Sequence, residues 1–235
     1  DRKDYSRAPI SAKVVASCLE AQNVNRVISC DLHSGQTCGF FSNNCPMDNL
    51  YNEVYFVDYI KYHIIPEYGE NIVIVAPDEG AVKSATRVSG KLNVSAATIF
   101  KNRERANVVG SMCLMGDVRG KVAILIDDMI DTAGTACKAA SILKENGASY
   151  IFMLATHGLF SGPALERIKE SAFNKIVVTN TVSQKSEILE CNKIKIIDVS
   201  WIIAEAIKRQ HDGTSLSELY LNRDVLRNNT GISFV

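Results

Sequence analysis

The stretch from Val122 to Thr135, VAILIDDMIDTAGT, constrains the fold of this chain more than any other. It opens with a short apolar run, Val122 to Ile126, which is typical of a strand buried on both faces of a parallel sheet. Asp127 and Asp128 follow where this strand would end, and a small polar loop leads into a helical pattern from Ala136 to Asn146. An open α/β sheet forms a ligand site at its carboxyl edge from such a strand, loop and helix start.

The residue types of this loop favour a phosphate, and the acidic pair before it favours a sugar. The free N–H groups and the dipole of a helix start attract an anion. Gly134 lets the backbone approach that anion, and the hydroxyls of Thr132 and Thr135 can donate to it. Carboxylates would repel a phosphate, but they accept two hydrogen bonds from a diol. The stretch therefore predicts a sugar phosphate site, while an acidic turn before a capped helix is the structural alternative.

Composition excludes several classes of protein. The chain has 235 residues and is 46% hydrophobic, which is enough for one large or two modest α/β units. Lys plus Arg and Asp plus Glu balance at 26 each, so no basic excess indicates nucleic acid. The apolar runs are shorter than a membrane span. The seven cysteines form no Cys-x-x-Cys motif, so we expect reduced thiols in a cytoplasmic protein and no zinc site.

Strand and helix patterns alternate along the chain, which predicts an α/β fold with a mainly parallel sheet. Besides the central stretch, strands are predicted at 27–30, 71–76, 95–100, 151–156, 176–179 and 194–197. Helices are predicted at about 8–22, 50–65 (stopped by Pro66), 82–92, 164–171 and 199–210. Residues 34–49 are predicted to be loop, and a domain boundary is expected near residue 50.

A second group of polar residues follows other predicted strands. Asp31 and His33 come at the end of one strand, and side chains two apart share a face, so both could reach one metal or one phosphate. Asp78 follows another strand, and its carboxylate is the hard oxygen ligand that Mg²⁺ prefers. A structural histidine is the alternative for His33.

The residues that follow His33 resemble those of a known protein family. Ser34-Gly-Gln-Thr-Cys-Gly-Phe-Phe41 and Pro46-Met-Asp48-Asn-Leu-Tyr51 follow Asp31-Leu-His33. In this order they closely resemble the signature of ribose-phosphate pyrophosphokinases, also called phosphoribosyl pyrophosphate synthetases. The loop of the central stretch likewise resembles the ribose 5-phosphate loop of the phosphoribosyltransferase fold. Other stretches that fit the family are 6–13, Lys101-x-Arg103, 116–118, 156–163 and 177–181.

The resemblance covers nearly the whole chain, up to about Tyr220, and shows two departures. Four residues stand between Phe41 and Pro46 where the family usually has two, which puts metal contacts in that loop in doubt. Ala81 follows Gly80 where the family usually repeats glycine. The extra methyl group would crowd a pyrophosphate-binding turn, unless the turn needs no positive φ at that position.

The resemblance implies a phosphoribosyltransferase-like parallel sheet with helices on both faces, in a family with two such domains in tandem. Residues 1–50 would be the remnant of the first domain. Residues 51–211 would form the second domain, with the ribose 5-phosphate site, and 212–235 a C-terminal segment and tail. The chain begins at Asp1 without a methionine, and its first helix has no preceding strand. We therefore expect the first domain to be incomplete and the chain, as given, to be impaired in catalysis.

The resemblance also implies a reaction, in which the anomeric hydroxyl of ribose 5-phosphate attacks the β-phosphorus of ATP and AMP leaves. Asp127 and Asp128 would hold the ribose hydroxyls, one of them through Mg²⁺. The 5-phosphate would be cradled by Asp131, Thr132, Ala133, Gly134 and Thr135. Lys101 and Arg103, in a charged loop that could close over the site, would be the catalytic residues. A solvated charge run is the alternative for that loop.

Further sites are implied only by the resemblance. ATP would contact Arg2, Lys3, Asp4 and His33. The ligands of Mg²⁺ would be Asp31, His33, Asp48 and Asp78. Phosphate or ADP would act as an effector near Ser6, Ser215 and Ser217, where a polar turn is the alternative. The family assembles as hexamers built from dimers, so we expect a homo-oligomer. We expect neither nucleic acid nor membrane as a partner.

Two other functions share part of this pattern. A salvage phosphoribosyltransferase would have the ribose 5-phosphate loop, but it would not need Asp31-Leu-His33 or Lys101-x-Arg103. A non-catalytic regulatory subunit of the synthetase would carry an insertion in the catalytic loop region. Residues 101–107 run without an insertion, which favours the enzyme.

Overall fold

A computed structural model describes residues 2–3, 7–101 and 112–221, apart from the side chains of Lys101 and Leu221. The chain divides into two compact units, Asp1–Asn52 and Glu53–Val235, and each is taken by itself below. No helix in the described part of the chain is long and apolar enough to cross a membrane.

The first unit contains a small parallel sheet. Helix α1, Ser11–Ala21, precedes strand β1, Val27–Cys30, and β1 pairs with β2, Met47–Leu50, in the register Ile28↔Asp48. A 3₁₀ helix covers Gly35–Phe40. The prediction of an unbroken loop over 34–49 is therefore wrong. Residues such as Asp48 and Asn49 are rare in strands, and here main-chain pairing with β1 overrides their low propensity.

The second unit is built on a seven-stranded sheet in the order β5-β4-β3-β6-β7-β8-β9. The strands are β3 Ile72–Ala76, β4 Ser95–Lys101, β5 Met112–Met115, β6 Val122–Ile130, β7 Tyr150–Gly158, β8 Lys175–Thr179 and β9 Ile194–Ile197. All neighbours pair in parallel except β4 and β5, which are antiparallel. The predicted α/β class with a mainly parallel sheet is confirmed.

Helices cover both faces of this sheet. They are α2 Glu53–Tyr59, α3 Ile65–Tyr68, α4 Val82–Leu92, α5 Gly134–Glu145, α6 Ala164–Glu170, α7 Ser186–Leu189, α8 Ser200–Asp212 and α9 Glu218–Leu221. Val73, Val75 and Leu125 share one core cluster with the buried residues of α5 and α6. Because side chains alternate along a strand, Ile72, Ile74 and Ile124 face the other side, where α4 contacts β3 and β6. Burial on both faces explains the near-continuous apolar runs of these strands.

Pro66 does not stop the helix that precedes it. The helix predicted over 50–65 begins instead at Glu53, continues as a π-turn over Ile60–Ile64 and resumes as α3 with Pro66 in its first turn. A proline in a first turn lacks only an N–H that would have no intrahelical acceptor, so the chain tolerates it. The helical segment ends at Gly69, whose φ of 91° suits glycine.

A buried carboxylate ties α2 to α4. The Glu53 side chain is only 7% exposed, and it accepts a hydrogen bond from Arg87 Nε and forms ion pairs with Arg87 and Lys91. We predict that Arg87→Ala lowers the free energy of unfolding by about 1–3 kcal/mol, because it removes a charge-assisted partner of a buried carboxylate. Lys83→Ala removes an exposed cation from the same helix and should change it by less than about 0.5 kcal/mol. Equal urea midpoints for the two variants would contradict this role of Arg87.

Candidate functional site

The carboxyl ends of β3, β6 and β7 lie side by side in the sheet and form the edge that the sequence predicts as a ligand site. Pairing of β3 with β6 stops at Val75↔Leu125, whereas pairing of β7 with β6 continues to Ile130↔Gly158. Beyond Leu125, β6 therefore has a strand neighbour on one side only. The strand order also reverses between β3 and β6, and open α/β sheets bind ligands outside the carboxyl ends of the strands at such a point.

The two carboxylates lie within β6, not after its end as predicted. The strand is nine residues long, and Asp127 pairs with Ala155 of β7. The amide of Asp128 donates a hydrogen bond of 2.9 Å to Asp127 Oδ1, so the acidic pair is held together by its own backbone. The strand is longer than the apolar run because β7 supplies main-chain partners that do not depend on side-chain polarity.

Asp127 is the most perturbed carboxyl group at this edge. Burial, the adjacent charge of Asp128 and the charge of Asp78 raise the pKa of Asp127 to about 8, although the Asp128 amide works against this shift. This shift favours the neutral carboxyl form of Asp127 in the unliganded protein. A ligand that favours the carboxylate, such as a cation or a pair of hydroxyl donors, would displace this proton.

The loop after β6 contains a residue in the left-handed conformation just before a helix start. Ala133 has a φ of 59°, in the left-handed region, and α5 begins at Gly134, two residues earlier than predicted. The carbonyl group of Thr132 accepts from Arg167 Nη1 at 2.9 Å, and that of Ala133 accepts from the Cys137 amide at 2.9 Å. The first N–H groups of α5 have no acceptor within their own helix, so they remain available to an anion.

The chain after β7 holds the start of the same loop. The amides of Leu159 and Phe160 donate to the Ile130 carbonyl at 2.8 and 3.3 Å, and the Ser161 amide donates to the Asp131 carbonyl at 3.1 Å. These bonds extend the β6–β7 pairing into the loop. Consecutive carbonyl groups from residue 130 to 133 are therefore bonded to protein donors, which fixes the orientation of the peptide units between them.

Asp78 orders the turn after β3. Its Oδ1 accepts from the amides of Gly80 at 2.9 Å and Ala81 at 3.3 Å. Ala81 has a φ of −82° and is buried at the start of α4. The turn therefore does not require glycine at position 81, and the departure from the family pattern is compatible with its geometry.

The predicted metal ligands of the first unit have other contacts. Asp31, with a φ of 39°, accepts from the Asn52 amide at 3.0 Å, and Asp48 forms an ion pair with Arg26 at 3.1 Å. His33 is exposed. Among the described residues, no group of three or more His, Cys, Asp or Glu side chains is arranged to hold a metal ion. Magnesium binding by Asp31, His33, Asp48 and Asp78 therefore stays a prediction.

The remaining predicted residues are spread along the chain. Arg2 and Lys3 are exposed, as are Ser215 and Ser217 between α8 and α9, where the Ser215 carbonyl accepts from Arg209 at 2.8 Å. Lys101 is the last residue of β4. Asp4, Ser6, Arg103 and the side chain of Lys101 lie outside the described residues. None of the assigned roles is tested by these positions.

Sequence reasoning assigned no role to Gly158 or Arg167, which both support the loop. Gly158 ends β7, and a Cβ atom added there would lie 2.5 Å from Phe160 Cε2 and 3.0 Å from Val178 Cγ2. Gly158 lies in the stretch 156–163 and Arg167 follows it. That stretch resembles the family but was given no role of its own in the sequence analysis. The available signal was a glycine at a strand end, which is typical of a close approach.

The raised pKa of Asp127 predicts how stability depends on pH. Between the ordinary value of 3.8 and about 8, the folded protein binds a proton that the unfolded chain has released. This contribution to stability is fully present below about pH 4 and is lost as pH rises through about 8. We predict that Asp127→Asn, which stays neutral, is more stable than the parent by over about 1 kcal/mol at pH 8–9 and similar to it near pH 4.

Urea titrations across this pH range measure the effect. Asp131→Asn makes the same chemical change at an exposed position of the adjacent loop, so its stability should fall with rising pH as that of the parent does. An Asp127→Asn curve parallel to that of the parent would show that the Asp127 carboxyl group is already ionised at neutral pH.

The space around Gly158 predicts the effect of a side chain there. We predict that Gly158→Ala lowers stability by about 1–3 kcal/mol, because the methyl group must displace the Phe160 ring. Gly90, on the exposed side of α4, has nothing within 4 Å of an added Cβ atom, so Gly90→Ala should instead stabilise by up to about 1 kcal/mol. Thermal melts compare the two variants, and a Gly158→Ala protein as stable as Gly90→Ala would refute the close contact.

The chain is similar to known proteins in sequence and in fold. A family model described as phosphoribosyl synthetase-associated domain matches residues 101–221. The structure is similar to that of phosphoribosylpyrophosphate synthetase from Mycobacterium smegmatis, with 34% sequence identity and a TM-score of 0.82 over 91% of this chain and 67% of that chain. This similarity confirms the predicted phosphoribosyltransferase-like sheet with helices on both faces.

Two phosphoribosyltransferase structures are more distant. Purine phosphoribosyltransferase from Pyrococcus horikoshii Ot3 is 17% identical, with a TM-score of 0.38 over 54% of this chain and 82% of that chain. Adenine phosphoribosyl transferase from Trypanosoma brucei, in complex with AMP, pyrophosphate and ribose-5-phosphate, is 20% identical, with a TM-score of 0.38 over 49% of this chain and 54% of that chain. The similarity to the synthetase from Mycobacterium smegmatis extends over nine tenths of the chain, and it shows that the chain belongs to the phosphoribosylpyrophosphate synthetase family.

Proposed function

We propose that this protein transfers the pyrophosphoryl group of Mg²⁺-bound ATP to the anomeric hydroxyl of ribose 5-phosphate, which yields phosphoribosyl pyrophosphate and AMP. The observation that carries the proposal is the loop after β6. Its carbonyl groups from Ile130 to Ala133 are bonded within the protein, and the amides at the start of α5 are left to an anion.

The acidic pair supports the sugar half of this ligand. Asp127 and Asp128 lie seven and six residues before Gly134, and the strand that holds them advances about 3.3 Å per residue up to its end at Ile130. That separation suits a ribose whose 5-phosphate lies at the helix start while its ring hydroxyls reach the carboxyl groups. Hydroxyl donors would stabilise the ionised form of Asp127, so we expect ribose 5-phosphate binding near neutral pH to release a proton.

Positioning and charge neutralisation are the main requirements of phosphoryl-type transfer. Lys101 ends β4, which runs parallel to β3, so the backbone of Lys101 lies at the same edge of the sheet as the end of β3, which Asp78 follows. This placement supports a role for Lys101 in neutralising charge on the transferred group, and Arg103 is assigned the same role by the family resemblance. Bound Mg²⁺ would neutralise charge on the ATP phosphates, and Asp78 is the carboxylate at this edge that is proposed to contribute to holding it.

The remaining assignments belong to the same proposal. Arg2, Lys3, Asp4 and His33 would contact ATP, and Asp31 and Asp48 would add to the Mg²⁺ site. Phosphate and ADP would act as effectors near Ser6, Ser215 and Ser217. Assembly as a dimer-based homo-oligomer would accompany this regulation.

An assay of AMP release with ATP, Mg²⁺ and ribose 5-phosphate tests the proposal. We predict that Lys101→Ala lowers the rate by about 10²–10³, because it removes one donor to the transition state, while the calorimetric Kd for ribose 5-phosphate changes by less than about threefold. Lys208→Ala removes an exposed lysine of α8 and should leave both quantities unchanged. A Lys101→Ala rate within about threefold of the parent would exclude Lys101 from catalysis.

The same assay separates the alternative functions. A regulatory subunit would bind ribose 5-phosphate but release no AMP. A salvage phosphoribosyltransferase would consume phosphoribosyl pyrophosphate when a nucleobase is added and would not require ATP. Formation of both AMP and phosphoribosyl pyrophosphate in equal amounts would identify the proposed reaction.

A further inference from the structure

The guanidinium group of Arg167 lies against the backbone of the phosphate-binding loop, which we define as residues 131–135. Arg167 is a residue of α6, and its Nη1 donates a 2.9 Å hydrogen bond to the carbonyl oxygen of Thr132. A Cβ atom added to Gly134 would lie 3.3 Å from the same nitrogen and 4.0 Å from Arg167 Cζ. The Arg167 guanidinium group therefore lies beside the peptide units on both sides of Ala133.

Hydrogen bonds from other parts of the chain fix the position of helix α6, and with it the position of Arg167. At its C-terminal end, Lys193 Nζ donates to the carbonyl groups of Ile168, Lys169 and Ser171 at 3.2, 2.9 and 2.8 Å. On the side of α5, Cys137 Sγ lies 3.6 Å from the Arg167 carbonyl oxygen as a hydrogen-bond donor. These contacts satisfy carbonyl groups that a helix end leaves without intrahelical partners.

The loop needs such support because of its own conformation and charge. Ala133 has a φ of 59°, which an L-residue with a side chain rarely adopts, and such residues persist only where surrounding bonds fix them. Asp127, Asp128 and Asp131 bring carboxyl groups to the same strand and loop. A phosphate dianion that approaches the start of α5 would meet these acids, and a cation beside the loop offsets their repulsion.

We propose that Arg167 is a positioning residue for phosphate at this loop. It holds the Thr132 carbonyl so that the Ala133 conformation persists and the amides of Gly134 and Thr135 stay directed at the anion, and its charge favours the dianion. Identifying this anion as the 5-phosphate of ribose 5-phosphate rests on the function proposed above.

A purely structural role would have a different signature. If Arg167 only joined α6 to the loop, its loss would lower the melting temperature and leave the affinity of the folded protein for phosphate ligands unchanged. If it positions the loop, the affinity falls even where the unliganded variant is fully folded.

Two variants and a matched control separate these roles. Arg167→Met removes both the hydrogen-bond donors and the charge. Arg167→Lys keeps the charge but replaces the forked guanidinium group with one ammonium group. Lys169→Met is the control, because it removes an exposed charge from the same helix. Calorimetry measures the Kd of each folded protein for ribose 5-phosphate and for inorganic phosphate. We predict that Arg167→Met weakens both about tenfold to hundredfold. Arg167→Lys should be intermediate, and Lys169→Met should stay within about twofold of the parent.

Steady-state kinetics add a second readout. Arg167→Met should raise KM for ribose 5-phosphate while KM for ATP and kcat change by less than about threefold, because the side chain acts on the binding of one substrate. A fall of kcat with no change of either KM would overturn the positioning role.

The outcomes separate this inference from the proposed function. A parent that binds ribose 5-phosphate, with an Arg167→Met variant that binds equally well, overturns the role of Arg167 and leaves the function standing. A parent that binds inorganic phosphate in an Arg167-dependent manner but not ribose 5-phosphate supports the role and overturns the function. If Arg167→Met does not fold, Arg167→Lys decides, since affinity within twofold of the parent overturns the inference and a larger loss supports it.

Discussion

The continued pairing of β6 with β7 is the constraint on which the site depends. Because β3 stops pairing with β6 at Leu125 and β7 continues to pair with it up to Gly158, the end of β6 has a strand neighbour on one side only and is held there. The amides from Leu159 to Ser161 extend that hold into the loop. A ligand can therefore approach a backbone whose conformation is already set, which reduces the entropy that binding must overcome.

The electrostatics at this edge oppose stability and favour binding. Carboxyl groups that are buried beside like charges raise the free energy of the folded state, as the pKa of Asp127 near 8 shows. Perturbed groups of this kind gather at functional sites, because a ligand that supplies donors or positive charge relieves the strain. The phosphate-binding loop has the opposite preference, since helix amides and Arg167 favour an anion. The edge thus joins an acidic half and a basic half, which is the combination that the proposed sugar phosphate ligand requires.

Local patterns predicted the elements that are buried on both faces. The apolar runs of β3, β6 and β7 and the apolar positions of α4 identify strands and a helix without reference to the rest of the chain. The secondary-structure predictions were wrong where pairing or packing with another part of the chain determines the conformation. Polar β2 is a strand because β1 pairs with it, and Pro66 is helical because a π-turn places it in a new first turn. The four-residue helices α7 and α9 are too short to produce a periodic pattern.

The sequence by itself determined the class of fold, the family resemblance and the residue types of the proposed phosphate-binding loop. Buried strands, turn residues and helix starts are local properties. Only the tertiary structure decided that β6 runs on through Asp127 and Asp128, that Ala133 takes a left-handed conformation, and that Gly158 and Arg167 support the loop. Those features depend on hydrogen bonds between residues some thirty positions apart, as between Thr132 and Arg167, and no local pattern encodes such pairs.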